Sequence, residues 1–421
     1  MDMVDNSHPC SNYYCFLKIA YVFISLFMRI YIVLIIIIIF GSCAFHNHKE
    51  ENVSRDSLSW AKRMANNVIS NNDTLLYYNG NKKIKWQYDI AMLGQAIDKL
   101  GYIDARYSKY MEDYINYFIN EDGSVKQYKI EDYNLDNINP AKNLFTLYKR
   151  TGEEKYLIAI KSFIRQLEEQ PRTKSGGFWH KKIYPWQMWL DGVYMSSPFM
   201  AQYAKEFDAP GWFDTVIFQI THIYDMALDK RTGLLYHAWN ENKQERWCNP
   251  ETGQSGYFWG RAMGWYSMAI VDVLDYLPRD HPGKDKLIDI LNNISKALLK
   301  VRDTETGLWY QVLDQGAKEG NYLEASCSAM FTYVFAKGAK KGYLQEDFLK
   351  IANESFNSII KEFVNIREND YIAVMNVCGG CGLGGNPYRD GSFEYYINEK
   401  KVENDEKGVA PFILAALELN R

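Results

Sequence analysis

Between residues 57 and 420 the chain alternates two kinds of helical segment, and few folds accommodate that alternation. Segments of the first kind are amphipathic, with apolar residues three and four positions apart: Trp60, Met64 and Val68 in one, and Tyr107, Tyr110, Met111, Tyr114, Ile115 and Phe118 in another. The pattern recurs near 153–168, 211–228, 284–301 and 346–364. Segments of the second kind lie between these, near 89–100, 138–150, 191–206, 260–276, 324–337 and 408–418; they are apolar on more faces and rich in Gly, Ala and Met. Such a helix has little polar face to give to water, so it has to be surrounded. Six of each, in alternation, predict an all-α fold, an (α/α)6 barrel with an outer ring of helices around an inner one. An open α-solenoid would show a tighter period and more uniform loops. No Pro-, Ser- or Gly-rich linker interrupts the stretch, so 57–421 reads as one domain.

The first 42 residues read as targeting rather than fold. Residues 30–40, IYIVLIIIIIF, follow Met28 and Arg29 and precede Gly41, Ser42 and Cys43, the order of basic, apolar and small-residue regions in a bacterial lipoprotein signal. The expectation is cleavage before Cys43, lipidation of Cys43, and a linker over 43–56 that tethers the domain to a membrane on its periplasmic side. The charged run Lys49, Glu50, Glu51 offers the alternative of export to the cell surface. Met28 is an alternative start. A retained transmembrane anchor is the competing reading, because the two apolar stretches together exceed the roughly 18 residues needed to span.

Lys plus Arg (48) nearly balance Asp plus Glu (52), and no dense basic run interleaves with aromatics beyond the N-terminus, which argues against a nucleic-acid partner. Aromatic residues make up 15% of the chain, more than a helical core needs, and amphipathic rings suit stacking on sugars. Cys378 and Cys381 form a lone CxxC. It lacks the second pair or nearby His of a zinc site and the βαβ context of a thioredoxin, so a Gly-rich loop is favoured over metal or redox work, with a local disulfide outside the cytosol left open.

Three loops that join outer to inner segments share one order of residues: Gly177 to His180, Gly233 to His237 and Gly307 to Gln311 each run from Gly through apolar or aromatic residues to a His or Gln. In a toroid such loops emerge at one end, so their polar tips are expected to converge on one mouth. Asp191 opens an apolar segment two residues after Trp189. Among rings, loss of water favours the protonated carboxyl that a general acid needs, although Asp is equally a favoured helix N-cap. Asp136 stands beside Asn137, Asn139 and Pro140 and is either a turn residue or a second carboxylate coupled to Asp191. His180 and His237 would singly be ordinary packing donors; their shared loop position gives them interest. Arg261, between Trp259 and Trp265, is expected at the mouth, clamping a carboxylate with both arms of its fork and so selecting an acidic sugar.

At these residues the sequence resembles a known family. HKKIYPWQMWLDG, GLLYHAW, WGRAMGWY and LDNINPAKNLFTLYKRTGEEKY are similar to motifs of glycoside hydrolase family 105, the unsaturated rhamnogalacturonyl hydrolases, and more distantly of the unsaturated glucuronyl hydrolases. The likeness runs in order from about Trp86 to Leu419. It implies the (α/α)6 fold, Asp191 as catalytic aspartate, Asp136 as second acidic residue, and His180, Trp189, His237, Trp259, Arg261 and Trp265 as sugar contacts. It implies a further aromatic contact at Trp86 or Tyr88, and it leaves Arg389 and Tyr395 in the tail without a role. The implied substrate is an oligosaccharide left by a polysaccharide lyase, of pectin or rhamnogalacturonan type, ending in a 4,5-unsaturated uronic acid. Hydrating that vinyl ether needs one acid/base, Asp191, with His237 to orient water, and no metal or cofactor. Two other classes stay open: an ordinary exo-glycosidase or lyase using Asp136 as second carboxylate, and a non-catalytic sugar-binding lipoprotein.

Overall fold

In the computed structural model the described residues are 60–420; the expected signal, Cys43 and the linker over 43–56 lie outside them. The outer helices are α1 (60–71), α3 (Ala105–Phe118), α5 (Glu154–Glu169), α7 (Gly211–Ala227), α9 (Lys284–Lys300) and α11 (Asp347–Phe363). Each turns one stripe inward. In α3, Asp104 caps the first turn by accepting from Arg106 N–H at 2.9 Å, and the six apolar residues at three- and four-residue spacing are the buried ones. Each large apolar side chain so buried contributes roughly 1.5–3 kcal/mol.

The inner helices are α2 (Tyr88–Asp98), α4 (Lys142–Thr151), α6 (Leu190–Glu206), α8 (Gly260–Val273), α10 (Ala325–Lys340) and α13 (Glu406–Leu419). In α10 every residue from Ala325 to Gly338 is buried, as a surrounded helix requires. α6 packs on α8, α8 on α10, α10 on α13 and α13 on α2, so the last inner helix closes the ring against the first. α4 joins through the 3-10 turn Asn139–Ala141, which touches both α2 and α6. Small residues allow the close approach. A Cβ on Gly264 of α8 would stand 2.5 Å from Met330 Sδ on α10, so a Gly264→Ala change has to displace that side chain, an overpacking cost of roughly 1–3 kcal/mol.

Three short antiparallel pairs and a one-and-a-half-turn helix, α12 (Phe393–Asn398), complete the fold; local periodicity gives no sign of them. The pair β1 (Gln187–Trp189) with β2 (Ala238–Asn240) matters most, because one strand leads directly into α6 and the other follows His237. The remaining pairs are β3 (Val364–Ile366) with β4 (Ile372–Val374), and β5 (Val377–Cys378) with β6 (Lys401–Val402).

Candidate active site

The register of β1 against β2 brings Asp191 to His237. Trp189 pairs with Ala238, and the next rung is Leu190 N–H to His237 carbonyl at 3.1 Å. Asp191 is then the second residue of α6, with Oδ2 3.4 Å from His237 Nε2, and neither atom makes a hydrogen bond. Trp189, not Asp191, holds the N-cap position, and no side chain caps this helix. The cap reading of Asp191 is therefore wrong, and its buried carboxyl is free for chemistry. On the far side of the imidazole, His237 Nδ1 is 2.8 Å from the Tyr396 hydroxyl, which α12 supplies.

The turn before β1 places the second group. Trp186 takes a left-handed φ of 63°, strained for a bulky residue, as the chain swings into the strand. Trp189 stacks on His180 with centroids 4.7 Å apart, stacks on Tyr184 at 5.0 Å and meets His237 edge-on at 5.5 Å. Gly192 permits this arrangement, since a Cβ there would stand 2.9 Å from His180 Nδ1. Asp136 lies in the 3-10 turn Leu135–Asn137, tied to the same loop by Leu135 N–H to His180 carbonyl at 3.1 Å. Its Oδ1 is 3.2 Å from His180 Nε2 and its Oδ2 2.5 Å from Lys181 Nζ. Burial alone would raise this carboxyl, but Lys181 and His180 together outweigh it and hold Asp136 well below the usual carboxylate range.

The three loop tips do converge. His237 lies 4.8 Å from the Trp259 ring, and the Trp259 indole N–H donates to Gln311 Oε1 at 3.1 Å, so His180, Trp189, His237, Trp259 and Gln311 form one continuous wall.

Arg261 departs from expectation. Its guanidinium is fully buried; Nε donates to Ser326 Oγ at 2.8 Å, and Nη2 is held by the Cys378 carbonyl and by Glu324 Oε1 at 3.4 Å. Burial would lower its pKa, but Glu324 outweighs that and keeps the cation charged. Only Nη1 lacks a partner, so a clamp using both arms is not on offer. A buried guanidinium without an acid would be costly, and Glu324, 0% exposed, also caps α10 and binds Cys378 N–H at 2.9 Å.

The local disulfide left open for the CxxC is not formed. Cys378 and Cys381 are free thiols with sulfurs 3.6 Å apart, and Gln311 Nε2 donates to Cys378 Sγ at 3.1 Å. The hydrogen bond from Cys381 lowers Cys378 to about 7, with help from Arg261. Trp86 is a core residue rather than a sugar contact: it stacks on Phe163, meets Phe118 edge-on and donates to the Asn137 carbonyl at 3.0 Å, which steadies the Asp136 turn. Tyr88 is half-buried and edge-on to Trp265 at 5.9 Å. Trp265 is 0% exposed and stacks on Tyr194, and Trp259 is 2% exposed, so both indoles are supports behind Tyr88 and His237 rather than open platforms.

Sequence reasoning missed Lys181, Glu324 and Tyr396. Lys181 lay inside a quoted motif, and its adjacency to His180 was the available signal. Tyr396 is 159 residues from the histidine it holds, a separation no local pattern reports.

Helical barrel and mouth together define a glycoside hydrolase of the (α/α)6 class. Residues 60–421 match Glycosyl Hydrolase Family 88, and the chain belongs to that family. A family-105 glycoside hydrolase of C. acetobutylicum ATCC 824 is 44% identical, with a TM-score of 0.82 over 86% of this chain and 99% of the other. Protein Atu3128 of Agrobacterium fabrum is 33% identical over 233 residues, 53% of this chain and 97% of its own. The unsaturated rhamnogalacturonyl hydrolase YesR of Bacillus subtilis is 28% identical over 201 residues, 46% of this chain and 55% of its own.

Proposed function

We propose that this protein removes a terminal 4,5-unsaturated uronic acid from lyase-generated oligosaccharides, with Asp191 as its acid/base. The observation that carries the reading is the contrast between the two aspartates. Asp136 is ionised and held on both oxygens by Lys181 and His180, whereas Asp191 Oδ2 makes no hydrogen bond and has only His237, 3.4 Å away, beside it. A glycosidase that works with two carboxylates needs the second one free to attack or to activate water, and Asp136 does not meet that need. A protein that only binds sugar has no use for a buried carboxyl poised beside a histidine with no hydrogen bond to hold it.

In this reaction the Asp191 carboxyl gives its proton to C4, and the π electrons of the vinyl ether form the new C–H bond. The positive charge left behind is shared by C5 and the ring oxygen. Water, oriented by His237, adds at C5 and returns a proton to Asp191. The hemiketal then opens to a C5 ketone, and the hemiacetal freed at C1 releases the next sugar as an alcohol.

The name of YesR favours a rhamnogalacturonan-type substrate, and membership of the family supports an unsaturated oligosaccharide. Lipidation at Cys43, outside the cytoplasm, remains our reading of the leader, and Cys43→Ala should release the protein from the membrane fraction. Incubation with an unsaturated disaccharide, following the ultraviolet absorbance of the conjugated double bond, tests the reaction. Loss of the absorbance supports hydration; release of the second sugar with the absorbance retained supports ordinary hydrolysis and refutes it.

A further inference from the structure

Arg389 belongs to the tail motif that sequence reasoning left without a role, and the fold returns it to the mouth. Its backbone pairs in both directions with Gly384, N–H to carbonyl at 3.1 Å and 2.8 Å, and its side chain folds across Gly382, where a Cβ would stand 2.1 Å from Nη1. Nε donates to the Gly384 carbonyl at 2.9 Å, and Nη2 donates to the Leu383 carbonyl at 3.2 Å and the Tyr184 hydroxyl at 2.9 Å. Tyr184 stacks on Trp189, two residues before Asp191. The guanidinium is thus held rigidly one ring beyond the catalytic wall.

Every one of those bonds goes to a neutral oxygen. Arg389 has no ion-pair partner among the described residues, its Nη1 makes no hydrogen bond there, and the side chain is half-buried rather than free in solvent. Lys181, the nearby cation that acts against it, is neutralised by Asp136, and Glu245, behind Gly384, accepts from Gln187 Nε2 at 3.1 Å. Arg389 is therefore a cation that no carboxylate pairs directly among the described residues, with Nη1 still free to donate beside Tyr184.

We propose that Arg389 and Tyr184 form a subsite for a second carboxylate, carried by a uronic acid in the part of the oligosaccharide that is released. The proposal rests on the functional reading above. Nη1 offers N–H donors. The Tyr184 oxygen accepts from the cation but keeps its own proton, and a hydroxyl polarised in this way is a stronger donor. A carboxylate takes one bond from each. In a polysaccharide whose uronates alternate with neutral sugars, any elimination product longer than a disaccharide presents such a group.

The test is steady-state kinetics on three compounds: an unsaturated disaccharide, an unsaturated tetrasaccharide with a second uronate, and the same tetrasaccharide with that uronate replaced by its neutral hexose. The wild type should show a lower KM for the acidic tetrasaccharide than for the neutral one. In Arg389→Gln, kcat/KM for the acidic tetrasaccharide relative to the disaccharide should fall roughly ten- to a hundredfold, through KM. Equal losses on all three compounds would make Arg389 a pin for the Gly-rich loop and overturn the proposal. So would a wild type that does not distinguish the two tetrasaccharides, a result that stands even if the variant fails to fold. A wild type that consumes none of the three overturns the functional reading, and the subsite with it.

Discussion

Asp191 Oδ2 and His237 Nε2 stand 3.4 Å apart with no hydrogen bond on either atom, while the opposite nitrogen of the imidazole is anchored by Tyr396 at 2.8 Å. The hydroxyl fixes the orientation of the ring that faces the acid. Tyr396→Phe keeps the aromatic packing and removes that anchor. A neutral hydrogen bond is worth about 0.5–1.5 kcal/mol, so kcat should fall several-fold. Melting temperature should change little. A variant with the wild-type kcat would show that the hydroxyl does not orient the ring.

Asp136 titrates below its ordinary range because Lys181 and His180 outweigh its burial. A carboxyl depressed in the folded state adds stability that is present above its unfolded pKa, about 3.9, and is lost as pH falls toward the folded value. Lys181→Met removes the first of the two opposing charges. Thermal melts should therefore separate variant from wild type most at neutral pH and least below about pH 4. The acid limb of kcat/KM should move upward in the variant. A melting difference that grows toward acid would contradict this account.

Glu406, at the start of α13, behaves in the opposite sense. Burial, then the charges of Asp89 and Asp405, push its carboxyl up to about 8. The folded state then binds a proton that the unfolded chain releases above about pH 4.3, so this residue lowers stability as pH rises from there toward 8. Glu406→Gln should raise the melting temperature relative to wild type at pH 8 and have little effect at pH 4. Parallel melting curves across that range would refute the assignment.

Arg261 and Glu324 are a buried pair, and removing one partner strands the other. Glu324→Gln should cost roughly 3–5 kcal/mol in chemical denaturation, and adding Arg261→Met should recover part of it, because the orphaned charge is then gone. Additive losses in the double variant would mean that the two do not depend on each other.

The ring of helices was legible because inner and outer helices differ in composition, and composition is a local property. Asp191, Asp136, His180 and His237 were legible for the related reason that all lie next to helix starts or loop tips with a repeated residue order. What failed were judgements of depth and of distant pairing. An arginine between two tryptophans reads the same whether the trio lines a cleft or lies under it, and partners far along the chain, Glu324 at 63 residues and Cys378 at 117, hold it buried. Trp86 read as a sugar contact through the likeness of Trp86-Gln-Tyr88 to a family aromatic contact, yet its ring stacks on Phe163. The CxxC spacing is equally compatible with a disulfide and with two thiols tied to Gln311. In each case the deciding contact joins residues far apart in the chain.

The central claim is that Asp191 alone carries the proton to the double bond, and the most direct measurement is the rate at which Asp191→Asn consumes the absorbance of an unsaturated disaccharide. Asp191 caps nothing, so the variant should melt with the wild type, while turnover falls by roughly 10²–10⁴, the usual worth of a positioned general acid. Near-normal loss of absorbance by a fully folded Asp191→Asn protein would contradict the account.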